Sequence, residues 1–168
     1  MPITLKVVLF TALCVALWLF LRWRYPKPDF APLETKPDDP LLMKAMDDAR
    51  LSLSVFRTRL SEPRESALIK LRFVSSTEQV EHLWAEVVEV ISQQDLGVRL
   101  VTPPVTHSGE LDRLHRCTFE DIEDWQVRDS HGKLHGGFTQ RAMFAIAKRD
   151  GIKLPKKLAE LEREYGDA

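Results

Sequence analysis

Two cysteines, Cys14 and Cys117, are all that the 168-residue chain carries. Cys14 sits in a hydrophobic run and Cys117 stands alone in the remainder. No disulfide can form inside the folded part, so its stability has to come from packing. A lone thiol also suits a reducing compartment better than an oxidising one. Charge of one sign is lacking too: Lys+Arg 24 against Asp+Glu 25 leave a formal charge of -1. That gives no electrostatic footprint for nucleic acid. There is no G-x-S-x-G elbow, P-loop or dinucleotide fingerprint. None of the histidines stands in a C-x-x-C or H-E-x-x-H zinc spacing, so no metal and no cofactor is expected. Repeats and low-complexity tracts are missing as well.

What is present begins with a hydrophobic run from Ile3 to Leu21, followed by Arg22, Trp23, Arg24 and Tyr25. With Lys6 snorkelling, about 19 residues suffice to cross a hydrocarbon core of about 30 Å. Trp18, Trp23 and Tyr25 suit an interface. A cleaved signal would want small residues at the cut, but the run ends in Leu19-Phe20-Leu21-Arg22. Lipidation at Cys14 would want a small residue before it, and Leu13 is not small. The run therefore reads as a retained single-span anchor over residues 1–24, with the lipid bilayer as its partner. Arg22, Arg24 and Lys27 outweigh Lys6 and the amino terminus, which favours a cytoplasmic soluble domain. Pro26, Pro28, Pro32 and Pro37 make residues 25–38 a stiff spacer.

Residues 39–168 form one domain of a size that supports a core. Asp39-Pro40 is a helix start. Leu42, Ala45, Met46, Ala49, Leu53, Phe56 and Leu60 continue it as an amphipathic stripe that Glu62-Pro63 ends. Ala67, Ile69, Leu71 and Phe73 then alternate with Lys70 and Arg72, the mark of a strand with one buried face. Val80 to Ile91 is a second strand, with Trp84 on one face and Leu83, Ala85 and Val87 on the other. Val98–Val101, Leu114–Phe119 and Trp125–Arg128 are further short strands. Thr139 is expected to cap a helix through Met143, Phe144, Ile146 and Ala147, with Phe138 and Met143 as a hydrophobic staple. Leu154, Leu158, Leu161 and Tyr165 stripe a last helix, which needs a surface in its own domain or on a partner.

Few residue sets suggest chemistry. His115-x-Cys117 has ligand-type residues without a zinc spacing, and His115 reads as an exposed strand position. Cys117 with a histidine would make a nucleophile and base, although a lone strand cysteine is more often a small apolar side chain. Glu120, Asp121, Glu123 and Asp124 flank Ile122 and Trp125. They read either as a carboxylate cluster or as solvated acids on a turn whose Ile122 and Trp125 go inward, with Asp124 accepting turn N–H groups. Gly136-Gly137-Phe138-Thr139 is the most specific local feature. It reads as a tight strand-to-helix turn or, with Arg141, as an anion pocket of backbone N–H groups. Binding residues are therefore sought at Asp124, Trp125, Gly136, Gly137, Thr139 and Arg141, with no catalytic and no metal-ligating residues. Gly137→Val is expected to cost about 1–3 kcal/mol through strain at positive φ.

Leu71-x-Phe73, Val80-Glu81-His82-Leu83-Trp84-Ala85-Glu86-Val87, Glu120-Asp121-Ile122-Glu123-Asp124-Trp125 and Gly136-Gly137-Phe138-Thr139-Gln140-Arg141 occur in that order. In this the chain resembles the bacterial DUF2314 family over residues 39–148. That family has no assigned function, so the resemblance implies a fold and a bacterial source only. Patterning and resemblance together imply an α+β chain: one transmembrane helix, then an antiparallel curved sheet of about five strands packed by an N-terminal helix and two C-terminal helices. The expected role is a non-catalytic binding protein of the bacterial inner membrane with a protein partner, in its concrete form an immunity protein neutralising a membrane-acting toxin. A membrane-tethered hydrolase, using Glu86, Asp124 or a histidine, and an envelope regulator or assembly factor are the alternatives.

Overall fold

A computed structural model describes residues 38–75, 78–102, 104–105 and 113–165. The anchor Ile3–Leu21 and the spacer up to Pro37 lie outside the described residues. Among the described residues no helix is long and apolar enough to cross a membrane.

Helix α1 (Pro40–Leu51) starts as its sequence dictates. Asp39 Oδ1 accepts the Leu41 N–H at 3.0 Å, and Pro40 takes the first helical position, where no N–H is needed. The single stripe expected from Leu42 to Leu60 is in fact two helices, because Ser52 interrupts it before α2 (Leu53–Ser61). The Ser52 hydroxyl donates back to the Ala49 carbonyl at 2.9 Å and accepts the Trp125 indole N–H at 2.9 Å. A serine that bonds the preceding turn bends a helix.

The strands are β1 (Arg64–Val74), β2 (Val80–Val90), β3 (Asp95–Leu100), β4 (Leu114–Thr118), β5 (Ile122–Asp129) and β6 (Leu134–Gly136). They pair antiparallel throughout, in the order β4-β3-β2-β1-β5-β6. The sheet thus has six strands among the described residues where about five were expected. The addition, β6, is too short for any alternation to show. Helices α3 (Phe138–Arg149) and α4 (Lys156–Glu164) follow, as expected.

The connection from β4 to β5 forces the sheet to curl. A 3-10 turn of three residues, Phe119–Asp121, joins Thr118 to Ile122, and those four Cα steps span at most about 14 Å. In a flat sheet of this order β4 and β5 would stand four spacings apart, about 19 Å. The expected curvature is therefore a requirement of the chain. Phe73 and His115, from β1 and β4, meet at 6.4 Å; His115 is half-buried, not exposed as expected.

Inside the curl, α2 supplies Phe56 and Leu60 to a core with Ile69, Leu71, Ala85, Leu96, Val98, Ile122, Trp125 and Val127. Each large side chain here contributes about 1.5–3 kcal/mol by leaving water. Phe56 stacks on Trp125 at 5.3 Å, and the Arg57 guanidinium covers the Phe119 ring at 3.6 Å. Leu83, Ala85 and Val87 share one face of β2 as expected, and that face is the core, whereas Trp84 on the other face is only half-buried. Helix α4 buries no residue. Its domain holds it through Lys148–Glu162 at 2.5 Å, Arg128–Glu164 at 2.6 Å, and Tyr165, which bridges to Leu134 in parallel.

Candidate functional site at a bulged strand and a glycine turn

Ile122 and Trp125 are each 2% exposed and both belong to the core. A regular strand turns residues three apart to opposite faces, so one extra residue has to sit between them. The pairing with β1 shows it: Lys70 opposes Asp124 and Leu71 opposes Ile122, which leaves Glu123 as the bulge. Glu123 and Asp124 are consequently buried beside Lys70, at 7% and 0% exposure. Solvated acids on a turn describe Glu120 and Asp121, but not these two.

Asp124 is saturated by the fold. Its Oδ1 accepts the N–H groups of Trp125 (2.8 Å) and Phe138 (3.1 Å), and its Oδ2 accepts the N–H (2.7 Å) and hydroxyl (2.6 Å) of Thr139. A carboxylate offers about four lone-pair sites, and all are taken. Phe138 and Thr139 open α3, so a strand residue caps this helix from outside it and puts a negative charge at its positive end. The expected cap, Thr139, is instead the second helical residue. Gly137 occupies the N-cap position with φ 62 and no side chain to offer. The expected staple loses its geometry, because Phe138 is the first helical residue and not the one before the cap; Phe138 packs edge-on against Trp125 at 5.7 Å.

Both glycines are required twice over. Gly136 has φ 76, and a Cβ there would stand 2.3 Å from the Trp125 carbonyl oxygen. A Cβ on Gly137 would stand 2.3 Å from the Tyr165 hydroxyl. The Gly137 N–H donates to the Trp125 carbonyl at 2.6 Å, extending the β5–β6 pairing into the turn. Tyr165 donates to Gln140 Oε1 at 2.6 Å, with Gln126 Oε1 at 3.1 Å. Arg141 lies 5.9 Å over the Tyr165 ring.

The electrostatics follow from burial. Desolvation pushes the Asp124 carboxyl above its ordinary pKa, and the hydrogen bonds from Thr139, Trp125 and Phe138 oppose it. Desolvation also pushes the Lys70 ammonium down, against the attraction of Asp124 and then Glu123. Lys70 Nζ donates to Thr139 Oγ1 at 3.4 Å. Glu123 Oε2 lies 2.5 Å from His82 Nδ1.

All six residues sought from sequence, Asp124, Trp125, Gly136, Gly137, Thr139 and Arg141, are brought together here. Lys70, Glu123, His82 and Tyr165 join them and were not among the six. A partial signal for Glu123 was the Ile122–Trp125 spacing, which a strand satisfies only with a bulge, while Lys70 is placed by the β1–β5 register alone. Cys117 is not part of the cluster. It faces the core from β4, and burial pushes its thiol up to about 12, helped by Asp121 and Asp95. At neutral pH it is a protonated thiol and a poor nucleophile. Among the described residues no three His, Cys, Asp or Glu side chains converge on a point that would hold a metal ion.

A family model described as an uncharacterised protein conserved in bacteria (DUF2314) matches residues 39–151, from the start of α1 to just past the end of α3. No curated protein and no solved structure matches the chain.

Proposed function

We propose that this chain, which belongs to the DUF2314 family, is a membrane-tethered binding protein that works by recognition and performs no catalysis. The anchor in this reading is Ile3–Leu21, the membrane is the bacterial inner membrane, and the domain lies on its cytoplasmic side. The observation that carries it is the outer face of the β1–β2 hairpin. Val74 and Val80 oppose each other in the register and are 52% and 42% exposed. Alternation puts them on the same side as half-buried Trp84, away from the core. On that face the His82 and Arg72 pair stands between the exposed valines and Trp84, and a half-exposed tryptophan near an exposed apolar pair within polar surroundings is the kind of surface on which protein interfaces are built. The occupied lone pairs of Asp124 and the protonated Cys117 support the non-catalytic half of the reading. An immunity protein that neutralises a membrane-acting toxin is its concrete form.

The test uses full-length protein in its native membrane. A photo-crosslinker at position 84 should yield a defined protein adduct, enriched when the product of the neighbouring gene is supplied. The same crosslinker at position 157 on α4 should not. Equal labelling from both positions, or none from position 84, would remove the recognition face. A mature chain found in the salt-washed soluble fraction with its first residues trimmed would remove the tether.

A further inference from the structure

The curled sheet leaves a cavity of about 370 Å³ where β4 comes round to the end of β1. Leu71, Phe73 and Cys117 give it an apolar lining. Arg72, Arg113 and Arg116 stand around these, with the imidazole of His115. The carboxylate among the lining residues, Asp121, offsets one of these charges. Its Oδ2 accepts the Thr118 N–H at 2.7 Å and the Thr118 hydroxyl at 2.8 Å. Arg116 is neutralised by Asp95 at 3.0 Å. Arg72 and Arg113 are exposed and have no ion pair or hydrogen bond among the described residues.

Arg72 and Arg113 against the one carboxylate leave the lining of a partly apolar cavity with a net positive charge, and low-dielectric walls focus its potential. Guanidinium forks match carboxylate and phosphate oxygens in geometry. The aromatic and aliphatic lining is suited to a ring or a short hydrocarbon. The volume falls within the roughly 300–1,000 Å³ typical of small-molecule sites, and it is too small for the acyl chains of a lipid. We propose that this cavity binds a small organic anion, a carboxylate or phosphate head on an aromatic body. The head would lie between Arg72 and Arg113 and the body against Leu71 and Phe73. Arg72 stands on the outer face of β1 between Val74 and Lys70, so this site adjoins the outer hairpin face, but titration of a small anion and crosslinking at position 84 read the two apart.

Calorimetric titration of the full-length chain in a neutral detergent tests it, with phenyl phosphate as the probe and inorganic phosphate and phenol as controls. Phenyl phosphate should bind saturably at one site, more weakly as salt is raised. Inorganic phosphate should bind at least about tenfold more weakly, and phenol should not bind. The doubly substituted R72Q/R113Q chain should keep its melting temperature, because both side chains are exposed, and should lose at least about tenfold in affinity for phenyl phosphate. No saturable binding up to about 10 mM would overturn the proposal. So would affinity that survives R72Q/R113Q, or inorganic phosphate binding as tightly as the aryl ester, since the cavity would then contribute nothing.

Discussion

Two tryptophans separate what a side chain's chemistry reveals from what its position decides. Trp125 is 2% exposed, stacked on Phe56 and bonded to Ser52. Trp84 lies on the opposite side of the sheet from the core. Trp125→Ala should cost about 3–5 kcal/mol, and Trp84→Ala less than about 1 kcal/mol; urea midpoints of the two variants will show it. The sequence marks both as large apolar residues in strands. Strand alternation separates their faces, but only the third dimension says which face the helices cover. A second residue-scale prediction concerns Asp129. Its partner His135 at 2.9 Å, then the N–H groups of Lys133 and His131, hold its carboxyl down to about 2 against the pull of burial. The unfolded value is about 4. Its stabilising contribution is therefore complete above about pH 4 and disappears as the pH falls through about 2. Denaturation of Asp129→Asn along a pH series should give a shallower acid limb than the natural chain, with the two curves converging near pH 2.

At the scale of elements, the glycine turn and the residue after α4 form one unit. Gly137→Ala meets two obstacles, the left-handed backbone and the Tyr165 hydroxyl, and should cost about 1–3 kcal/mol. Adding Tyr165→Ala should relieve the contact and leave the backbone cost, so the double variant loses less than the sum of the singles. Gly136→Ala should show no such relief, because its obstacle is the Trp125 main-chain carbonyl. Thermal melts of the natural chain, the three single variants and the two double variants with Tyr165→Ala decide the point. Elements with clean periodicity were legible: the alternation of Ala67 to Phe73 gave β1, and the stripe of Met143 to Ala147 gave α3. The break at Ser52 was not, since a serine is tolerated on a helix, and its bonds back to the Ala49 carbonyl and from the distant Trp125 indole are visible only in the fold. Thr139 looked like a cap because of its type. The capping group actually comes from Asp124, and nothing local to α3 discloses it.

For the molecule as a whole, faces could be read but neighbours could not. β1 lies between β2 and β5, and a pairing across more than fifty residues leaves no local trace. The short passage from Thr118 to Ile122 rules out a flat sheet only once the order β4-β3-β2-β1-β5 is known, so the cause of the curvature was not legible before the pairing was. The candidate site was half legible: the glycines, Asp124 and Thr139 are marked by residue type, while Lys70 and Glu123 enter it only through the register.

The cap that Asp124 provides ties the fate of α3 to that of β5. Neither terminus of that pair is complete alone, so local opening of the strand has to release the helix start. Amide hydrogen exchange in the natural chain should therefore find the amides of residues 138–142 and 124–127 exchanging with one common free energy. Asp124→Asn places an amide donor against the N–H groups it should receive, and is expected to cost about 2–4 kcal/mol. It should also split that common value in two, with the helix start exchanging first. On that outcome α3 and β5 are a single cooperative foldon, joined by one carboxylate.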